Sequence, residues 1–168
     1  MFKKIDVLAN VSLIVVSIVF GFVLVRKQLL PSHTDQPSEV SPGVRIPLTG
    51  VDWKAGQKTL LLVVSNQCHF CSESAAFYRR LAAGAAARDV HLIALLPQPV
   101  SDGREYMKSL DVPIQDVRQV EMQTLNVRGT PTLVLVDQEG IVRNVWRGKL
   151  PAEKESEVMT LLEACAGC

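Results

Sequence analysis

The feature that most constrains this chain is an apolar strand pattern that runs straight into a pair of closely spaced thiols. Thr59-Leu60-Leu61-Leu62-Val63-Val64 carries no charge, the pattern of a strand covered on both faces. Cys68-His69-Phe70-Cys71 follows, and the Ala-, Leu- and Arg-rich stretch after it predicts a helix from Cys71 to Arg88, with Asn66 as its cap. Two thiols three positions apart at a helix start can close a small disulfide ring and open it again. Unpaired backbone N–H groups and the helix dipole both stabilise a thiolate there. Dithiol–disulfide exchange is therefore the first chemistry to test against the rest of the chain.

The remaining pattern alternates. Val44-Arg45-Ile46 reads as a short edge strand. Val90 to Leu96 reads as a second central strand stopped by Pro97, with His91 a partly buried structural residue. Ser101 to Leu110 reads as a helix capped by Ser101, Val112 to Val117 as a short strand, and Val120 to Leu125 as a short helix. Leu133-Val134-Leu135-Val136, the turn Asp137-Gln138-Glu139-Gly140 and the returning strand Ile141 to Trp146 form a hairpin. Pro151 opens the last helix, where proline is tolerated. Strands alternating with helices imply a parallel portion and the late hairpin an antiparallel one. The expected fold class is α/β: a mixed sheet with helices on both faces, and with Cys68 at the carboxyl end of a central strand, where open α/β sheets place their sites.

Ahead of this domain, residues 7–25 form a nineteen-residue uncharged stretch closed by Arg26 and Lys27. At about 1.5 Å per residue it spans roughly the hydrocarbon core of a bilayer. No small-residue cleavage site follows it, so it reads as an uncleaved signal anchor, one N-terminal transmembrane helix, rather than a removed leader. Lys3 and Lys4 on one flank balance Arg26 and Lys27 on the other, so the charge rule sets orientation weakly. Four prolines between Pro31 and Pro47, among Ser, Thr, Gln and Gly, read as a tether. His33 lies in it as a solvated residue. The expected layout is a cytoplasmic N-terminus (1–6), anchor (7–25), flexible linker (26–43), α/β domain (44–164) and tail (165–168). The net charge of +1 gives no pull toward nucleic acid, so no nucleic-acid partner is expected.

Four cysteines form two C-x-x-C pairs, Cys68/Cys71 and Cys165/Cys168. That is too few for a disulfide scaffold. A four-cysteine zinc site is arithmetically open, but such sites sit on turns rather than at a strand-to-helix junction, so no metal is expected. His69 can place positive charge near a Cys68 thiolate. Cys165/Cys168 is either a self-paired tail or an accessory dithiol that shuttles electrons. The second motif, Val127-Arg128-Gly129-Thr130-Pro131-Thr132, puts a proline just before a central strand, where a cis turn would leave backbone groups of Thr130 free for an extended substrate.

Cys68-x-x-Cys71 after an apolar strand, followed by Arg128-Gly129-Thr130-Pro131-Thr132 and Asp137-x-x-Gly140, resembles the thioredoxin superfamily over roughly Val44 to Glu163. The tethered layout resembles membrane-anchored thioredoxin-like proteins of the bacterial cell envelope, of the redoxin and cytochrome c maturation type. The resemblance implies that Cys68 attacks, Cys71 resolves, Pro131 is cis and packs against the pair, and Thr130 bonds the substrate backbone. His69 and Phe70 then tune the pair. It also implies protein thiol and disulfide substrates, a dithiol protein as electron donor or acceptor, no organic cofactor, and a domain on the extracytoplasmic side of the inner membrane.

The departures are specific. Gln67 precedes the first cysteine where Trp is usual, and His69-Phe70 replace Gly-Pro. Leu62 stands where thioredoxins bury an acid. Ser74 stands where the envelope reductases often carry Glu, with Glu73 on another helical face. Two rival readings remain. A peroxiredoxin-like peroxidase is favoured by Ser65 three residues before Cys68 and by Arg128 as an anion ligand, and opposed by Leu61 at the expected proline. A copper- or metal-holding chaperone of the same fold would use His91 as its distal ligand. Trp53 and Trp146 read as packing residues.

Overall fold

The computed structural model describes residues 39–55 and 58–163. The expected N-terminus, the anchor 7–25, most of the linker, and Cys165/Cys168 lie outside the described residues. Among the described residues, no helix is long and apolar enough to cross a membrane.

Five strands form one sheet: β1 (Lys58–Val63), β2 (Val90–Leu96), β3 (Asp116–Gln119), β4 (Thr132–Val136) and β5 (Val142–Arg147). Their order is β3-β2-β1-β4-β5. β1, β2 and β3 run parallel, whereas β4 pairs antiparallel with β1 and with β5. The four helices are α1 (His69–Glu73), α2 (Ala75–Ala86), α3 (Val100–Ser109) and α4 (Ala152–Glu163). β1 is central and Leu60 to Val63 are fully buried, which is why its sequence is apolar without alternation.

The period of two divides the sheet's side chains between two cores. Leu60 and Leu62 of β1, Ala94 and Leu96 of β2 and Leu133 and Leu135 of β4 enter one cluster. The buried apolar side chains of α2, α3 and α4 enter that same cluster, among them Tyr78, Leu81, Met107 and Val158. Leu61, Val63, Ile93 and Val134 enter the second, which is closed by Val40, Ile46, Leu125 and Val127 from segments without helix. Helices therefore flank one face of the mixed sheet, where helices on both faces were expected. The reason is topological. The chain steps from β1 to β2 to β3 in one direction, and two successive right-handed crossovers put both connecting helices on the same side.

Local differences from the sequence reading have local causes. The helix expected over Cys71 to Arg88 is broken at Ser74, whose backbone (φ −87, ψ 3) separates α1 from α2. Its hydroxyl also bonds back to the Phe70 carbonyl at 2.8 Å, a side-chain competition with the helix ladder. The start of α1 is capped by Cys68, not by Asn66. Pro99 occupies the N-cap of α3, one residue before Val100 and two before the expected Ser101. The stretch Val120 to Leu125 forms turns rather than a helix, and Leu125 anchors them in the second core. The early edge strand reduces to one bridge between Arg45 and Ile141.

Packing reaches upstream of Val44. Val40 is 2% exposed, and Arg147 donates to its carbonyl and to the Glu39 carboxylate at 2.8 Å. Gly84, which propensity alone marks as a weak point in α2, allows a close approach: a Cβ there would lie 2.7 Å from the Met159 Cε of α4. Burying Phe77, Tyr78 and Leu81 of α2 contributes about 1.5–3 kcal/mol each, enough to hold a helix containing that glycine. The hairpin turn is built as expected, with Gly140 at φ +78. The Asp137 carboxylate accepts from the backbone N–H groups of Glu139 and Ile141.

Candidate functional site

The site forms where β1 ends and α1 begins, with the loop before β4 laid against it. Cys68 is the N-cap of α1 in an extended conformation (φ −97, ψ 109). Its sulfur accepts from the Cys71 backbone N–H at 3.2 Å, one of the donors that a helix start leaves unpaired. Both cysteines are free thiols, Cys68 partly exposed and Cys71 fully buried. The helix interior therefore places Cys71 against the sheet, and the cap position folds Cys68 over its end.

The Thr130-Pro131 peptide is cis, and Pro131 is buried beside Thr132 and Leu133. The Cys68 thiol donates to the Thr130 carbonyl at 3.2 Å. The two motifs, 62 residues apart in sequence, thus meet across this contact. Thr132 Oγ1 donates to the Gly129 carbonyl at 2.8 Å and fastens the loop to the start of β4.

The two sulfurs ionise differently. Burial works against ionising Cys68, but it is outweighed by hydrogen bonds from the Cys71 thiol and the Thr130 side chain and from the backbone of Cys71 and Phe70. Together they hold Cys68 below the ordinary cysteine value. The Thr130 carbonyl contact acts the other way, since a carbonyl can only accept and so favours the protonated thiol. Cys71 is pushed up to about 12, first by burial and then by its hydrogen bond to Cys68. A backbone bond from Ser65 and the Thr130 side chain oppose that rise in part. One partly exposed sulfur is thereby poised as a nucleophile, and one buried sulfur is kept protonated beside it.

His69 and Phe70 sit on the rim. His69 Nε2 pairs with Glu73 Oε1 at 2.9 Å, and Glu73 Oε2 with Lys149 Nζ at 2.8 Å. The Lys149 hydrogen bond holds the Glu73 carboxyl below its usual range, with charge from Lys149 and His69 adding to it. Any positive charge on His69 is thus balanced by a carboxylate one turn away. Phe70 is 56% exposed and is the one large hydrophobic side chain exposed among the described residues.

Leu62, at the position of the buried acid, is fully buried in the cluster that includes Cys71. Ser74 is also buried. His91 is engaged elsewhere, with its Nε2 3.2 Å from Asp116 Oδ2 on the neighbouring strand β3. Arg128 pairs with Glu39 at 3.8 Å. Tyr78 and Tyr106 did not stand out in the sequence as site residues. The Tyr106 and Ser72 hydroxyls are 3.2 Å apart, and both tyrosines feel charge on Cys71 and Cys68. The sequence signal for Tyr78 was its place seven residues after Cys71, two helical turns along one apolar face.

Comparison with known proteins agrees with this fold. The chain is similar to a thiol:disulfide interchange protein from Bacteroides sp., at 15% identity and TM-score 0.58, with 74% of this chain and 91% of that one covered. It is similar to a thioredoxin-family thiol:disulfide interchange protein from Chlorobium tepidum TLS, at 15% identity and TM-score 0.56, with 77% and 100% covered. It is also similar to the exposed lipoprotein thioredoxin Etrx1 of Streptococcus pneumoniae, at 21% identity and TM-score 0.52, with 66% and 86% covered. No curated protein matches the chain. At these identities the solved structures speak for the fold alone. The family model of the thioredoxin-like domain, however, matches residues 53–162, from Trp53 through the dithiol and the Thr130-Pro131 turn to the last helix, and the chain belongs to that family.

Proposed function

We propose that this protein is a membrane-tethered thiol–disulfide oxidoreductase that exchanges disulfides with protein substrates through Cys68 and Cys71. The observation that carries the reading is the split between two adjacent sulfurs. Cys68 is held below the ordinary cysteine value at the rim, and Cys71 is buried and pushed up to about 12. In reduction, the Cys68 thiolate attacks a substrate disulfide and releases one substrate thiol. Cys71 then attacks the Cys68 sulfur of the mixed disulfide, releases the second thiol and leaves a Cys68–Cys71 disulfide. Oxidation of a substrate dithiol is the same sequence reversed. Thr130 and Pro131 border the sulfur and supply the edge along which an extended substrate lies, with His69 and Phe70 contacting it from the other side. Electrons come from, or pass to, another dithiol protein.

The nineteen uncharged residues 7–25 support a single-pass anchor in the inner membrane. Disulfide chemistry persists in oxidising compartments, which favours an extracytoplasmic domain.

The test is a pair of variants in a protein-disulfide reduction assay. Cys68→Ser is expected to lose exchange altogether. Cys71→Ser is expected to retain the first attack and accumulate mixed disulfides with its partners in native membranes. Retained turnover by Cys68→Ser excludes the proposed nucleophile.

A further inference from the structure

Glu39 and Val40 fall in the stretch expected as linker, yet they are tied to both sides of the loop that carries Thr130. Before the loop, the Val40 backbone N–H donates to the Asn126 carbonyl at 3.1 Å. Arg128 Nε lies 3.8 Å from one Glu39 carboxylate oxygen. After the loop, Arg147 Nε donates to the other Glu39 oxygen at 2.8 Å, and Arg147 Nη2 donates to the Val40 carbonyl. Arg147 faces Thr132 in the β4–β5 register. The N–H of the next residue, Gly148, donates to the Pro131 carbonyl at 2.8 Å. One carboxylate thus joins Arg128, two residues before Thr130, to the strand position facing Thr132, two residues after it.

Holding the chain down does not require Glu39. Val40 is 2% exposed and shares the second core with Leu125 and Val127, so burial already fixes this segment. What the carboxylate adds is a link between two arginines, and ordering such long side chains costs entropy. Its effect is to set the span across the loop. Inside that span, Thr132 Oγ1 donates to the Gly129 carbonyl and the Cys68 thiol to the Thr130 carbonyl. The frame therefore surrounds the edge that meets the reacting sulfur.

We propose that Glu39 is a positioning residue for substrate: by bridging Arg128 and Arg147 it holds the Gly129-Thr130-Pro131 edge in place against Cys68, so that an extended protein segment is aligned for attack. This rests on the oxidoreductase reading, and it makes the end of the linker part of the substrate-binding edge. Glu39 acts through the loop and not on the sulfur. A small disulfide that makes no use of the edge is then insensitive to it.

The experiment uses the reduced full chain with Cys165 and Cys168 replaced by serine. It is mixed with two disulfides that share one leaving group, a coloured aromatic thiol. One is a short uncharged peptide joined to that thiol through its cysteine; the other is the symmetric aromatic disulfide. In each, the Cys68 thiolate bonds to one sulfur, the S–S bond breaks and the coloured thiolate leaves. With the peptide, the sulfur attacked is the peptide's. Glu39→Ala is expected to slow the peptide reaction about threefold and leave the symmetric disulfide within about 1.5-fold, the size of effect an exposed ion pair supplies. Glu39→Gln, which keeps an acceptor for Arg147, is expected to return the peptide rate toward the parent value. An unchanged peptide rate in Glu39→Ala overturns the inference, as does an equal slowing on both disulfides. If Glu39→Ala also melts lower, Glu39→Gln decides: a peptide rate that stays at the alanine value overturns the assignment. Colour release that persists in Cys68→Ser instead overturns the oxidoreductase reading itself, whatever Glu39 does.

Discussion

The rim and the floor of this site are three residues apart and chemically opposed. At the rim, Cys68 caps the helix start and its sulfur lies among hydrogen-bonding groups: the Cys71 N–H, the Cys71 thiol and Thr130. At the floor, Cys71 is fully buried in an apolar cluster with Leu62, Tyr78 and Leu133. The C-x-x-C spacing brings the sulfurs together but does not decide which one ionises. That follows from backbone conformation. An extended cap residue turns its side chain back over orphan N–H groups, whereas a residue inside the first turn faces the sheet.

The largest effect is expected from placing a charge in the floor. Leu62 is fully buried on β1 between Ala94 and Leu133, at the position where thioredoxins carry a buried acid. Leu62→Asp is expected to cost about 3 kcal/mol or more of stability, because a carboxyl enters a site without a partner for it. Urea unfolding at neutral pH measures this, with Leu62→Asn separating polarity from charge. A loss under about 1 kcal/mol would mean the floor is wetter than the buried cluster implies, and the contrast between the two sulfurs would weaken.

A smaller effect comes from the floor's own proton. The Cys71 thiol is raised by burial from an ordinary value of 9.0 to about 12. Between those values the unfolded chain has lost this proton and the folded chain still binds it. Fewer protons on the unfolded state means stability falls as pH rises. The Cys71 contribution is therefore complete below pH 9 and is lost as pH climbs toward 12. Cys68 has the opposite sign, since its lowered value means the folded chain releases its proton first and gains stability approaching the ordinary value. In reduced protein, Cys71→Ala is expected to flatten the alkaline decline relative to the parent, and Cys68→Ala is not. Unfolding curves across the alkaline range, taken as differences so that Lys and Tyr titrations cancel, check both signs.

Much of this contrast was legible in the sequence. The unbroken apolar run of β1, the dithiol at its carboxyl end and the Gly129-Thr130-Pro131-Thr132 turn each carry local signals. So does the Asp137-to-Gly140 hairpin. What was not legible depends on tertiary placement. Ser74 reads as an ordinary helical residue until its hydroxyl is seen to bond the Phe70 carbonyl. Val120 to Leu125 has a helical spacing of apolar residues, but Leu125 and Val127 are claimed by the second core and the segment closes as turns. The one-sided placement of the helices follows from strand order, which no local pattern encodes. Tyr78 is indistinguishable by sequence from any aromatic on a buried face, because the charge it feels from Cys71 and Cys68 is a property of the packed site alone.

The smallest expected effect is at the rim, and it separates two contacts made by one residue. Thr130 offers Cys68 a carbonyl, which accepts from the thiol at 3.2 Å and favours the protonated form. It also offers a side chain, which favours the thiolate. Thr130→Val keeps the first and removes the second while preserving shape. The Cys68 pKa is then expected to rise, so the thiolate fraction at neutral pH falls and alkylation of Cys68 slows, with Thr130→Ser restoring the rate. The pH dependence of alkylation, read at Cys68 by mass spectrometry, measures it. A faster reaction in Thr130→Val would mean the carbonyl contact had been relieved as well, and that Thr130 acts mainly to hold the proton on. An unchanged rate would assign the lowered value to the Cys71 thiol and the helix-start N–H groups, which makes the dithiol and its cap position, rather than the proline loop, the source of the difference between rim and floor.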